Sequence, residues 1–256
     1  MQLPRPTTFT VISDTHNFHQ FVQIQPTDFL IICGDITRRG KGVDSFVNWI
    51  KSQQVGNTFL SLGNHDMSAQ TEICTQVRSI KNLHLLLNGQ ITNFGGFQFV
   101  GIQYHCPPPL NLSRVLDPHK PLICVSHEPP FGILDYGLRW RQLIHGGVFH
   151  AGSKRLRNFV DTTPPLLHCF GHCHSSRGVL HKNGTFFVNA SVTDDFGQMK
   201  NPPITFKFDG KKFEPTNEYN TVTLSKFIKE LTSGVVYKKV NKKVFQSNNK
   251  SAFNTL

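Results

Sequence analysis

Residues 170–176 read FGHCHSS, and they close the apolar run LLHCF (166–170). Two imidazoles one residue apart are either a turn that happens to carry histidines or half of a metal site. The pair alone decides nothing, because the chain has 13 His to scatter. It gains meaning if other metal-type residues stand in the same kind of place, just past a buried strand.

Such places recur. Short apolar, β-branched runs are found at FTVIS (9–13), FLIIC (29–33), TFLSL (58–62), LICVS (122–126), LLHCF (166–170) and TFFVN (185–189). Runs of this length without alternation fit strands buried on both faces. After FTVIS comes Asp14-Thr15-His16. After FLIIC comes Gly34-Asp35, then Arg38-Arg39-Gly40. Gly63-Asn64-His65-Asp66 follows TFLSL, His127 follows LICVS, and Gly171-His172-Cys173-His174 follows LLHCF. Open α/β sheets bind ligands at this carboxyl edge of their strands.

Each cluster has a bland reading when taken singly. Asp14 and Gly34-Asp35 suit ordinary turns, Asn64-His65-Asp66 suits a helix cap, and a lone His127 suits a satisfied structural residue. Five of them, all at strand ends, point to one shared site. The donors are carboxylate and amide oxygens plus imidazoles, a set suited to Mn, Fe, Zn or Ni rather than to Ca or a structural Zn. Cys173 is read as pointing away from that site if His172 and His174 alternate on an extended segment. The glycine before each ligand is read as room for the backbone to approach the metals.

Helical spacing joins Val43, Phe46, Val47 and Ile50, and again Ile73, Val77 and Ile80. Ser153 is placed to cap a third helix through Phe159, which Pro164 and Pro165 then stop. Segment 84–104 differs: Asn88-Gly89 and Gly95-Gly96 are tight-turn dipeptides between strand-like runs, which predicts an antiparallel meander. The fold expected is α/β, two packed mixed sheets with helices outside them. With 256 residues, 38% of them hydrophobic, the chain can bury one sizeable core.

The formal net charge is +11, and from Lys200 onward eleven Lys face four Asp or Glu. This divides the chain into a domain over 1–215 and a basic extension over 216–256 with one helix expected near 223–232. Such an extension suits an anionic partner, nucleic acid included, or simply a solvated appendage. No apolar run reaches the ~20 residues that span a bilayer. MQLPRPTTFT lacks the pattern of a signal peptide, and the six Cys show no CxxC pair. The expectation is a soluble, cytoplasmic protein with reduced thiols.

The ordered blocks D-x-H, G-D, G-N-H-D, H and G-H-x-H resemble those of the calcineurin-like metallophosphoesterase superfamily. SDTHN, ICGDITRRG, SHEPPFGILD, GSKRL, NAS and NPPITF resemble its metallophosphoesterase-domain-containing branch, over roughly residues 7–208. The resemblance implies a four-layer αββα sandwich and two divalent metal ions, manganese foremost. By position it gives Asp14, His16 and His174 to one metal and Asn64, His127 and His172 to the other, with Asp35 bridging. It makes His65 a general acid oriented by Asp66. Arg38 or Arg39 is placed to touch phosphate. Asn17, His19, Tyr104, His105 and His150 flank the motifs as candidate pocket residues, Asn17 and His150 foremost. Two departures from the pattern, SHEPP where Thr and Gly are expected and Ser153 in place of Cys, concern pocket detail only.

The implied activity is hydrolysis of a small phosphodiester, such as a cyclic nucleotide, by in-line attack of a metal-bridging hydroxide. The alternatives are a phosphomonoesterase (protein phosphatase included), a nuclease, and a scaffold that keeps the fold without catalysis.

Overall fold

Two six-stranded sheets are built from the apolar runs. In the computed structural model, which describes residues 6–108, 112–138 and 148–216, the first sheet has at its centre β1 (Thr7–Ile12) and β2 (Thr27–Cys33). β3 (Val55–Ser61) and the short β4 (Leu83–Leu85) continue the parallel series. The second sheet contains β5 (Ile91–Phe94), β6 (Phe97–Ile102), β7 (Leu122–Ser126), β10 (Leu167–Phe170), β11 (Gly178–Lys182) and β12 (Thr185–Asn189). Its four inner strands β12, β10, β7 and β6 are parallel, and its edges β11 and β5 are antiparallel. Last, β13 (Ile204–Phe208) and β14 (Phe213–Pro215) return to the first sheet, where β13 pairs antiparallel with β1. A separate two-stranded ribbon joins β8 (Tyr136–Leu138) to β9 (Val148–His150).

Strand alternation sorts the side chains into layers. In β2, Phe29, Ile31 and Cys33 face the space between the sheets, while Leu30 and Ile32 face outward. The inter-sheet layer is rich in rings: Phe59 stacks on Phe99 at 3.6 Å between centroids, and Phe9 on Phe29 at 4.7 Å. Outside the first sheet, helices α1 (Val43–Ser52) and α2 (Gln70–Val77) bury Phe46, Val47, Ile50, Ile73 and Val77 against Leu30, Ile32 and Leu60. A single turn, α3 (Leu112–Val115), and helix α4 (Lys154–Thr162) cover the second sheet, with Leu156, Phe159 and Val160 against Cys124 and Phe170. Ser153 Oγ accepts the Leu156 N–H at 3.3 Å, the cap read from sequence. The result is the expected α/β sandwich of two mixed sheets between helices.

Segment 84–104 is not one meander. β4 pairs parallel with β3 in the first sheet, whereas β5 and β6 form a hairpin in the second. The Asn88-Gly89 step carries the chain from one sheet to the other, and Gly95-Gly96 alone is the hairpin turn. The helix expected near 223–232, like nearly all of the basic extension, lies outside the described residues.

The stacked pair between the sheets predicts a large truncation cost. Phe59→Ala should lower the free energy of unfolding by about 3–5 kcal/mol in urea titrations, since Phe59 is fully buried and two sheets cannot collapse onto one vacated ring. A loss under about 1 kcal/mol would show that the sheets repack freely.

Candidate metal centre

All five polar clusters converge on the carboxyl edge shared by the two sheets. To bring them there the chain must turn hard at each strand end. Asp14, His16, Asp35 and His172 all adopt left-handed backbone conformations, with φ of 58°, 44°, 52° and 66°. Non-glycine residues held there cost of order 1–3 kcal/mol each, and such strain gathers at functional sites. The glycines serve the approach of one loop to another. A Cβ on Gly34 would lie 2.5 Å from the Gly63 backbone nitrogen, and one on Gly171 would strike Ser13 and the Asp14 carboxylate. The space read as room for metals is room for neighbouring chain.

Seven donor atoms face one another across this edge. Asp14 Oδ1, His16 Nε2 and His174 Nε2 form one group, all within 4.8 Å of each other. Asn64 Oδ1 lies 2.9 Å from His127 Nε2 and 3.0 Å from His172 Nδ1, which makes a second group. Asp35 Oδ2 stands between them, 3.7 Å from His16 Nε2 and 3.4 Å from His127 Nε2.

The opposite side of these donors is tied. His127 Nδ1 donates to the Cys33 carbonyl at 2.8 Å and His174 Nδ1 to the Asp194 carbonyl at 3.0 Å, which leaves each Nε2 as the inward atom. Asp14 Oδ2 accepts from the His172 N–H and the Ser191 hydroxyl, and Asp35 Oδ1 accepts from the His65 N–H. Asp14 Oδ1, by contrast, is buried and has no donor apart from imidazole, the nearest being His174 Nε2 at 3.2 Å. A buried carboxylate oxygen that faces only imidazole nitrogens, two of them held from behind through Nδ1, suits a divalent cation. The residues present therefore fit the metals that the sequence implies.

His65 lies beside the cluster. Its ring meets His16 edge-on at 4.7 Å, and its Nδ1 is buried without a partner. Geometry groups it with His16 and Asp35 as a further candidate donor. Asp66 does not orient that ring directly. Its carboxylate accepts from the backbone of Ile36, Thr37 and Gly63 and from the Thr37 hydroxyl, so it locks the loop that carries His65. Thr37, missed in the sequence, also donates to the His65 carbonyl.

The flanking candidates divide. Tyr104 packs its ring 5.9 Å from His127 and 5.5 Å from His172. Arg38 and Arg39 are exposed on a turn fastened to His65 through the Gly40 N–H. Asn17 turns its amide onto Gly42 at the start of α1. His19 is a core residue, bonded to Ser45 and packed on Phe46 and Trp49. His105 is exposed beside Glu128. His150 is bonded to buried Asp135 at 2.8 Å and lies between Phe131 and Tyr136. Among the described residues no hydrogen bond or ion pair joins the side chain of Asn17, His19 or His150 to the seven donors.

Charge inside the cluster is strongly coupled. Burial pushes the Asp14 carboxyl up, but His174, His127 and His16 outweigh it and hold it well below the usual range. Burial also opposes charge on His127 and His174. The Asp35 and Asp14 carboxylates overcome it and push His127 up to about 10, and Asp14 with the Asp194 carbonyl pushes His174 up to about 9. His16 and His172 are pushed down to about 4, chiefly by burial. The site thus holds protons on His127 and His174 that a cation would displace.

A family model, that of the calcineurin-like phosphoesterases, matches residues 7–176, which contain every one of these donors. The chain belongs to this family. Calcineurin-like phosphoesterases use divalent metals, and the donor groups above are where this one has ligands to offer. Among similar proteins are metallophosphoesterase domain-containing protein 1 of Homo sapiens, 28% identical over 78% of this chain and 72% of its own. UPF0046 protein K07C11.7 of Caenorhabditis elegans is 27% identical over 76% and 73%. Two solved structures share the fold at 13% identity. Phosphopantetheinyl hydrolase from Mycobacterium tuberculosis aligns with a TM-score of 0.53 over 76% of this chain and 92% of that one. GAP50, the anchor in the inner membrane complex of Plasmodium, aligns at 0.54 over 86% of each. Among the described residues no helix is long and apolar enough to cross a membrane.

The two raised imidazoles set a pH dependence for the metal-free chain. Their folded values, about 10 and about 9, lie above the ordinary 6.5. Their contribution is therefore complete below pH 6.5 and is lost as pH rises through 9 to 10. Chelator-treated protein should melt at a lower temperature at pH 9.5 than at pH 7 in scanning calorimetry. A melting temperature that rises over this interval would contradict the protonated pair.

Proposed function

We propose that this protein is a dinuclear-metal phosphodiesterase. The observation that carries the reading is the arrangement of seven donors as two adjoining groups that share Asp35. Asp14, His16 and His174 would hold one divalent ion and Asn64, His127 and His172 the other, with Asp35 bridging; the oxygen-and-imidazole donor set suits manganese. When bound, such ions supply Lewis acidity toward a phosphate and acidify a coordinated water.

The remaining tasks fall to the chain. Asp14 and Asp35 are held as carboxylates by the surrounding imidazoles, so they are charged at neutral pH. Residues 13–17 and 34–36 are cross-bonded through backbone, residues 63–66 are tied to 34–36 through the Asp35 and Asp66 carboxylates, and this fixes the donors before substrate arrives. His65 would give a proton to the leaving oxygen. Unlike Nδ1 of His127 and His174, its Nδ1 is not pinned by a carbonyl, which suits proton transfer better than ligation. Tyr104 would wall the substrate side of the second group.

Charge supports a diester over a monoester. Among the described residues no Lys or Arg pairs with Asp14 or Asp35, and Arg38 and Arg39, on the turn bonded to His65, are exposed. A diester carries one negative charge at neutral pH and needs less compensation than a monoester dianion. All seven donors lie within 1–215, so this part would suffice for the chemistry. The six cysteines are free thiols, which fits a reducing compartment such as the cytoplasm.

With manganese supplied, bis(4-nitrophenyl) phosphate should be turned over faster than 4-nitrophenyl phosphate. The reverse order would favour a phosphatase, and no turnover with full metal loading would favour a scaffold. Asp35→Asn should weaken both metals, as read by metal analysis after gel filtration. Retention of two tightly bound ions would remove Asp35 from the bridging position.

His65→Ala should keep both metals. Proton donation is typically worth about 10²–10⁴ in rate, so a nucleotide diester with an alkoxide leaving group should lose far more than a nitrophenyl diester. Equal losses would make phosphate binding its role, and loss of a metal would make it a ligand.

A further inference from the structure

A cavity of about 360 Å³ adjoins the donor cluster without contributing a donor to it. Its walls are His105, Cys106 and Glu128 on one side and Ser153, Lys154 and Arg155 on the other. Glu128 directly follows His127, and Tyr104, whose ring packs against His127 and His172, directly precedes His105. The His105 ring, which lines the cavity, lies 4.1 Å from that of Tyr104 and so links the cavity to the candidate ligands. Its size is at the small end of ligand pockets.

The charges in it are unevenly satisfied. The Glu128 side chain is only 13% exposed; Oε2 accepts the His105 N–H at 3.0 Å and Oε1 lies 3.7 Å from His105 Nδ1. Its charge is committed to His105. Across the cavity, Lys154 and Arg155 form no ion pair with any described carboxylate, whereas Arg157, one half-turn on, is paired with Asp161 at 2.8 Å. Lys154 Nζ is held over the Phe131 ring, 5.4 Å from its centroid. One wall thus offers a point cation and a guanidinium fork with nothing in the described chain to neutralise them, the combination that recognises phosphate.

We propose that this cavity is a second anion subsite, which takes a phosphate one sugar away from the scissile diester. The substrate class is then a nucleotide or sugar diester that bears a further phosphate. This inference rests on the phosphodiesterase reading. Arg155 with Lys154 would hold the outer phosphate.

Two nitrophenyl esters that differ by one phosphate test it: thymidine 5′-(4-nitrophenyl phosphate) and its 3′-phosphorylated counterpart, with the manganese-loaded full chain. The 3′-phosphorylated ester should show about tenfold higher kcat/KM, mostly through KM. The preference should shrink as NaCl rises from about 0.05 to 0.5 M. It should fall to about one in the double variant Lys154→Gln, Arg155→Gln, both positions being exposed and away from the core. Equal kcat/KM for the two esters, or a preference that survives the double variant, overturns the subsite. Calorimetry of thymidine 3′,5′-bisphosphate against thymidine 5′-monophosphate gives a second readout that needs no turnover. If neither ester is hydrolysed, the diesterase reading fails, and the subsite stands or falls on whether the bisphosphate binds more tightly and loses that margin in the double variant.

Discussion

The buried carboxylate of Asp14 joins the two halves of the sandwich. It follows β1 in one sheet, and its Oδ2 is held by the His172 N–H at 3.0 Å and the Ser191 hydroxyl at 2.7 Å, both from loops of the other sheet. Its backbone takes part as well: the N–H donates to the Gly34 carbonyl, and the carbonyl accepts from Thr193. A charge out of water is expensive unless hydrogen-bonded and paired. Here two donors and a set of imidazoles provide this, and they come from segments up to 177 positions away in the chain. The packing of Phe59 on Phe99 brings the sheets together; Asp14 decides how their edges align.

That alignment explains why the strand-end loops are so constrained. Four of the residues gathered there sit in left-handed backbone conformations, and the glycines beside them leave no space for a methyl group. The cost is distributed along the edge of a large core that can sustain it. The His127 and His174 donors are held from behind by the Cys33 and Asp194 carbonyls. Preorganisation of this kind places the cost of order in folding rather than in binding.

Much of this was legible in the residues. FTVIS, FLIIC, LICVS and TFFVN are strands within two residues of their read boundaries, because buried parallel strands require unbroken apolar runs. The site was legible because its residues follow those strands. Other features have no such signature. The carbonyls of Cys33 and Asp194 act through backbone, which every residue shares. His19 looked like a pocket residue because it follows Asp14-Thr15-His16, yet one 3-10 turn folds it into the core against Trp49. Asn88-Gly89 looked like a hairpin turn and instead marks the passage between sheets, a distinction that depends on which sheet has a free edge. Asp66 looked like a partner for the His65 ring, and its donors proved to be the Thr37 hydroxyl and backbone N–H groups.

The pairing of β1 with β13 has a consequence for how the chain is made. About 200 residues separate the two strands, so the outer edge of β1 has no partner until almost all of the described chain has been synthesised. At the usual ribosomal pace of ~5–20 residues per second this lasts about 10–40 s. During that time an apolar strand with unpaired backbone is open to mispairing. The donors that surround Asp14 arrive in the same final stretch, since His172, His174 and Ser191 all precede β13 by fewer than 35 positions. The candidate metal site is therefore completed only late in synthesis.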